Sequence, residues 1–72
     1  MDYKKIWKKT DEDLKSSLPA HAYEAWIETL SPVGITNDIF IVEAPNQFAY
    51  DWIINNYQDI ISSSLKEVEE GL

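Results

Sequence analysis

The 72-residue sequence predicts a small α+β domain with the element order α-α-β-β-α. Three observations carry that prediction. Apolar residues recur at helical spacing over two N-terminal stretches and one long C-terminal stretch. Two β-rich segments flank Asn37-Asp38 between them. Pro19, Ser31-Pro32, Pro45 and Gly71 fall where the stretches meet or end.

The first helix is predicted from about Asp2 to Ser17. Asp2 can cap it by accepting a backbone N–H bond. Ile6, Trp7, Thr10, Leu14 and Leu18 form a narrow apolar stripe, and Lys4, Lys5, Lys8, Lys9, Asp11, Glu12 and Lys15 cover the opposite face. The second helix is predicted from Pro19 to Leu30. Proline suits a first helical turn, where its missing N–H costs nothing. Tyr23, Trp26, Ile27 and Leu30 share one face at i, i+3, i+4 and i+7. Trp26 is therefore expected to be mostly buried, with one edge reaching the surface. Two short helices joined at Leu18-Pro19 should pair as a helical hairpin.

A β-hairpin follows, with Val33–Thr36 and Ile39–Ala44 as its strands. Asn and Asp tolerate positive φ, so Asn37-Asp38 makes a two-residue turn. Phe40, Val42 and Ala44 point to one side, Ile39, Ile41 and Glu43 to the other. Both sets contain apolar residues, so alternation alone does not choose the buried face. Asn46 then caps a last helix from about Gln47 to Glu70. Its core stripe is expected to start at Trp52 and Ile53 and continue through Tyr57, Ile60 and Ile61 to cover the hairpin. Trp52 is thus expected to be a core residue, and the charged tail Lys66–Glu70 to fray. A two-stranded sheet is marginal unless something covers one face, and three helices are available to do so.

The composition fits one domain spanning residues 1–72. So short a chain buries only about 60% of the surface its unfolded form exposes. Three Trp, four Tyr and two Phe can anchor a compact core. With no Cys, disulfides and thiolate zinc sites are excluded, a usage that fits a cytoplasmic protein. No apolar run approaches the roughly 20 residues of a membrane span. The lysine-bearing start lacks the long apolar region of a signal peptide.

The charge is lopsided. Residues 1–9 hold four Lys and one Asp, net +3; residues 10–72 hold two Lys and twelve acids, net −10. There is no Arg. Phosphate contacts dominate nucleic-acid affinity, so most of this surface would repel DNA. An acidic surface is better suited to solubility or to a basic protein patch.

The whole pattern resembles a known family. Trp7, Leu14, Leu18-Pro19, Tyr23, Trp26-Ile27 and Leu30 precede the hairpin. After it come Ala44-Pro45-Asn46-Gln47-Phe48-Ala49-Tyr50-Asp51-Trp52-Ile53 and Tyr57. This is similar to domain I, the N-terminal domain, of the bacterial chromosomal replication initiator DnaA, over about residues 3–68. The Ala-Pro-Asn-x-Phe block with a downstream Asp-Trp is the specific part; the separate aromatics are not. The resemblance implies a small K-homology-like fold of order α-α-β-β-α-β. No third strand is predicted here, where Glu67-Val68-Glu69-Glu70-Gly71-Leu72 closes the sequence. Either this stretch stops short of that strand or the sheet has two. Full-length relatives continue into an AAA+ ATPase domain and a DNA-binding domain. This sequence has no G-x-x-x-x-G-K-[ST] loop and no helix-turn-helix. It corresponds to an isolated initiator domain or to a stand-alone protein that copies one.

The resemblance implies a protein-interaction module of replication initiation. Its partners would be the replicative DNA helicase and regulators of initiation, with self-association through the first helix. Two surfaces would carry these roles. One surrounds Trp7, which either supports self-association or packs as core. The other contains Ala25, Trp26, Asn46, Phe48 and Ala49. Phe48 lies in the first turn of the last helix, ahead of the expected stripe, so it either stands exposed or closes the hairpin end of the core. Asn46 is expected to cap, and can contact a partner as well. Some relatives carry an acid in the helicase contact at the position of Ala22, so that contact is not carried over.

An alternative is a K-homology-like binder of single-stranded nucleic acid, at most weak, since the G-x-x-G loop of that class is missing. Lys4, Lys5, Lys8 and Lys9 are its only candidates. Catalysis is not expected. Asp11-Glu12-Asp13 and Glu67-Glu69-Glu70 are placed on outer faces or in the tail, and His21 on the surface, without an orienting partner. No catalytic residue, cofactor site or metal site is assigned.

Overall fold

The computed structural model describes residues 2–70 and has the element order α-α-β-β-α. Helix α1 spans Tyr3–Ser17. The Asp2 carboxylate caps it, accepting from the Lys4 and Lys5 backbone N–H groups at 3.0 and 3.3 Å. Ile6, Trp7, Thr10 and Leu14 are buried on one stripe. Thr10 is polar yet fully enclosed, and its hydroxyl donates to the Ile6 carbonyl at 2.8 Å. That bond removes the penalty of an unpaired buried hydroxyl.

The second helix departs from expectation. Pro19 is its cap, and only Ala20–Ala22, helix α2, is α-helical. Tyr23–Ile27 then form a π-turn in which the Glu28 N–H donates to the Tyr23 carbonyl, five residues back, at 2.9 Å. A π-turn holds more residues than the about 3.6 of an α-turn. Tyr23 and Ile27 therefore fall closer to one line, and both are buried. Trp26 rotates away from that line. Its carbonyl accepts the Thr29 hydroxyl at 2.6 Å, which closes the widened turn. Leu30 lies beyond the helix.

Strands β1, Ser31–Thr36, and β2, Ile39–Glu43, form an antiparallel hairpin. Asn37 and Asp38 have φ of 52° and 62°, the paired positive values of a type I′ turn. β1 starts at Ser31, so Ser31-Pro32 opens a strand instead of ending a helix. Proline is tolerated there because the register shifts between Pro32 and Gly34, leaving the ladder irregular beside it. Ala44 falls outside β2. The helices decide which face is buried: Phe40 and Val42 pack on the core with Ile35, while Ile39 and Ile41 face outward. The Trp7 ring stacks on Phe40 with centroids 5.9 Å apart.

Helix α3 spans Gln47–Val68, ending two residues before the predicted Glu70. The Asn46 side chain caps it by accepting the Ala49 N–H at 2.8 Å. α3 packs chiefly along α1, burying Ala49, Ile53, Ser64 and Leu65. Tyr57, Ile60, Ile61 and Val68 pack partly on the same cluster. The expected core stripe is therefore corrected at its start: Ala49 and Ile53 open it, and Trp52 is 42% exposed. Among the described residues the sheet has two strands. Gly71 lies outside the described residues.

Two side-chain bonds fix the helices, and both use acids predicted to be solvated. The Tyr23 hydroxyl donates to Asp11 at 2.8 Å, and the Ser64 hydroxyl donates to Asp13 at 2.6 Å. Asp11 and Asp13 are half-buried, the correction to a fully outward placement. They stand on opposite edges of the buried stripe of α1, Asp11 toward the second helix and Asp13 toward α3.

A candidate protein-docking surface

α3 begins beside the π-turn, and this juxtaposition builds the candidate site. Phe48 and Trp52 are one turn apart, at i and i+4, so they project on the same side of α3. Ala49 and Ile53, each one residue further on, point inward. Trp26, rotated off the buried line by the π-turn, meets both outward rings. Its ring is stacked on Trp52 at 5.2 Å with the planes 19° apart, and tilted against Phe48 at 5.8 Å and 50°. Such offset and tilted pairs are the geometries that aromatic quadrupoles favour.

This cluster is open to solvent. Phe48 is 70% exposed, the largest value among the described large hydrophobics. Trp26 is half-buried, and Ala25 beside it is exposed. Asn46 is exposed too, but its Oδ1 is already engaged in the cap. A half-open cluster of three aromatic rings with small neighbours resembles the buried centre of a protein interface before its partner arrives.

Of the six residues expected at interaction surfaces, four lie together here: Ala25, Trp26, Asn46 and Phe48. Ala49 adjoins them but is buried, 5% exposed, and this corrects its assignment to the open surface. Trp7 is not part of this surface: of its two expected places it takes the core, 7% exposed against Phe40. Position near the start of the chain does not keep it at the surface, because Ile6, Trp7, Thr10 and Leu14 make one buried stripe.

Trp52 was missed as a surface residue. The available signal was its spacing of four from Phe48: if one ring faces outward on α3, so does the other. Tyr50 and Ile54, 51% and 39% exposed, repeat that spacing on the opposite flank of α3. They line a separate apolar cleft of about 200 Å³ between α3 and the hairpin, with Phe40 and Val42 on its far wall.

The electrostatics of the site are one-sided. All six lysines lie at positions 4, 5, 8, 9, 15 and 66. Residues 16–65, which include the whole aromatic cluster, hold no lysine; Asp51 lies one residue before Trp52, and Glu24 and Glu28 lie two residues to either side of Trp26. Asp51 accepts the Gln47 side-chain amide at 2.8 Å and is exposed. On the far side of the second helix, Tyr23 has its pKa pushed up from 10.0 to about 12. Burial is the main cause, followed by its hydrogen bond to Asp11 and the negative charges of Asp11 and Glu28. This phenol is a structural pin; its ring also lies under the Lys15 ammonium, 5.7 Å from the centroid. Among the described residues no three or more His, Asp or Glu converge as a metal site. No helix of the described residues is long and apolar enough to cross a membrane.

Comparison with known protein families gives a match that spans nearly the whole fold. The model described as the DnaA N-terminal domain matches residues 4–67, from the first turn of α1 to the last turn of α3.

Proposed function

Because the chain belongs to the DnaA N-terminal domain family, we propose that it acts in replication initiation by docking proteins on the aromatic cluster of Trp26, Phe48 and Trp52. A role in DnaA-dependent initiation and a non-catalytic, interacting nature follow from the family itself. The replicative helicase and regulators of initiation are the proposed occupants. The observation that supports the reading is Phe48: a large aromatic 70% exposed, in contact with a second exposed ring through Trp26. Leaving such a ring in water forgoes much of the roughly 1.5–3 kcal/mol that its burial would supply. A docked partner recovers it.

Self-association through α1 would need the outer face of that helix, since Trp7 is enclosed. The alternative, weak binding of single-stranded nucleic acid, has behind it only the exposed lysines of α1. That face stands on a chain of net charge −7.

The test is a pulldown from bacterial lysate with the wild-type domain and with Phe48→Ala, read by mass spectrometry. Retained melting with loss of helicase or initiation regulators from the captured set supports the assignment. Unchanged capture, or a melting temperature that falls by many degrees, removes it.

A further inference from the structure

We infer that the partner presents a cationic side chain, arginine or lysine, to the stacked Trp26–Trp52 pair. This rests on the docking reading above and specifies its chemistry. Three observations carry it. First, the two indoles are nearly parallel, 19° apart, and Trp52 is 42% exposed, so part of the stacked pair meets solvent. A cation within about 6 Å of an aromatic face is attracted by the ring quadrupole, most strongly for Trp. Second, that face lacks an internal cation. The residues from 16 to 65 contain no lysine at all, and Lys15 is spent on Tyr23. Third, Asp51 is exposed and three residues from Phe48 on α3, hence on the same side of the helix. A carboxylate beside a π-face adds to its pull on a cation and repels phosphate. A basic protein surface is therefore complementary here in charge, and a nucleic-acid strand is not.

The experiment uses nuclear magnetic resonance of the 15N-labelled domain. The probe is the peptide acetyl-Leu-Arg-Arg-Leu-Arg-Arg-amide, beside a twin in which every arginine is citrulline, an uncharged isostere. The indole N–H signals of Trp26 and Trp52 report the surface, and buried Trp7 serves as an internal reference. The arginine peptide should shift Trp26 and Trp52 saturably, leave Trp7 in place, and bind several-fold more tightly than its twin. Neutralising Asp51 (Asp51→Asn) should weaken it several-fold. An equal charge change at Glu67 (Glu67→Gln) should not. Residue 67 is 15 positions from Trp52 along α3, about 22 Å at the helical rise and well beyond the about 8 Å screening length.

Equal binding of both peptides, no movement of either indole, or equal weakening by Glu67→Gln would overturn the inference. The docking reading is judged separately by Phe48→Ala. If that variant loses its partners while arginine shows no advantage, the surface stands as an apolar dock and only the cationic partner is lost.

Discussion

Trp26 and Trp52 stack at 5.2 Å across the joint between the π-turn and α3, although they are 26 positions apart in sequence. Neither ring is anchored in the core, so each supports the other at the surface. Trp52→Ala should therefore cost far less than the about 3–5 kcal/mol of a buried tryptophan. Loss of one aromatic pair and part of the ring's burial amounts to about 1–2 kcal/mol. In a domain this small, each kcal/mol lowers the melting temperature by about 4–8 °C. A thermal melt followed by circular dichroism checks it. Complete unfolding at room temperature would show that Trp52 holds the core.

Trp7 should behave in the opposite way. Its ring fills the space between α1 and the hairpin and lies on Phe40. Trp7→Ala removes about 3–5 kcal/mol, most of what a domain of this length has to lose. The variant is expected to be largely unfolded at 37 °C, with near-ultraviolet circular dichroism flattened. A variant that melts like wild type but changes its sedimentation behaviour would restore Trp7 to the surface.

The raised pKa of Tyr23 predicts an alkaline limit to stability. The folded domain holds the phenol proton up to about pH 12, whereas an unfolded chain releases it near 10.0. Below pH 10 both states are protonated and the group adds no pH dependence. Between 10 and about 12 the unfolded state loses its proton first, so stability falls as pH rises. Tyr23→Phe should flatten this fall while lowering stability at neutral pH, because the Asp11 hydrogen bond is lost. Melting temperatures of both proteins from pH 8 to pH 11 decide the matter; parallel curves would mean that other groups set the limit.

How much of this was legible in the sequence depends on how local the controlling physics is. The caps at Asp2 and Asn46, the Asn37-Asp38 turn and the extent of α1 are set within a few residues, and all were readable. The π-turn was not, because α and π backbones share the same apolar residues and differ in how tertiary packing draws Tyr23 and Ile27 together. Nor were the environments of Trp7 and Trp52. Periodicity puts a tryptophan on a face, but only the packing of three helices decides which faces meet. Trp52 fits an apolar stripe as well as Ile53 does; the fold then turns α3 so that Ala49 and Ile53 go in and Phe48 and Trp52 stay out. Asp11 and Asp13 were misplaced for the same reason. Acids on a helix are normally solvated, and nothing local announces a Tyr hydroxyl or a Ser hydroxyl arriving from elsewhere.

The Asp13–Ser64 bond joins residues 51 apart and clamps α1 to α3 at 2.6 Å. Ser64 is 3% exposed, so its hydroxyl cannot turn to water if the acceptor is removed. Asp13→Ala should then cost about 1–3 kcal/mol, the penalty of a buried unpaired hydroxyl. The figure belongs at the low end, because a helical serine can bond the carbonyl four residues back, here that of Ile60. Ser64→Ala leaves a half-buried carboxylate that still reaches solvent, and should cost less than Asp13→Ala. Removing both groups leaves nothing unsatisfied between the helices. The double variant should be no less stable than Asp13→Ala alone, with a favourable coupling when urea midpoints of the four proteins are compared. Strictly additive losses would mean that the bond contributes nothing specific to holding α3 on α1, and that the docking surface at the other end of α3 owes its placement to Ala49 and Ile53 alone.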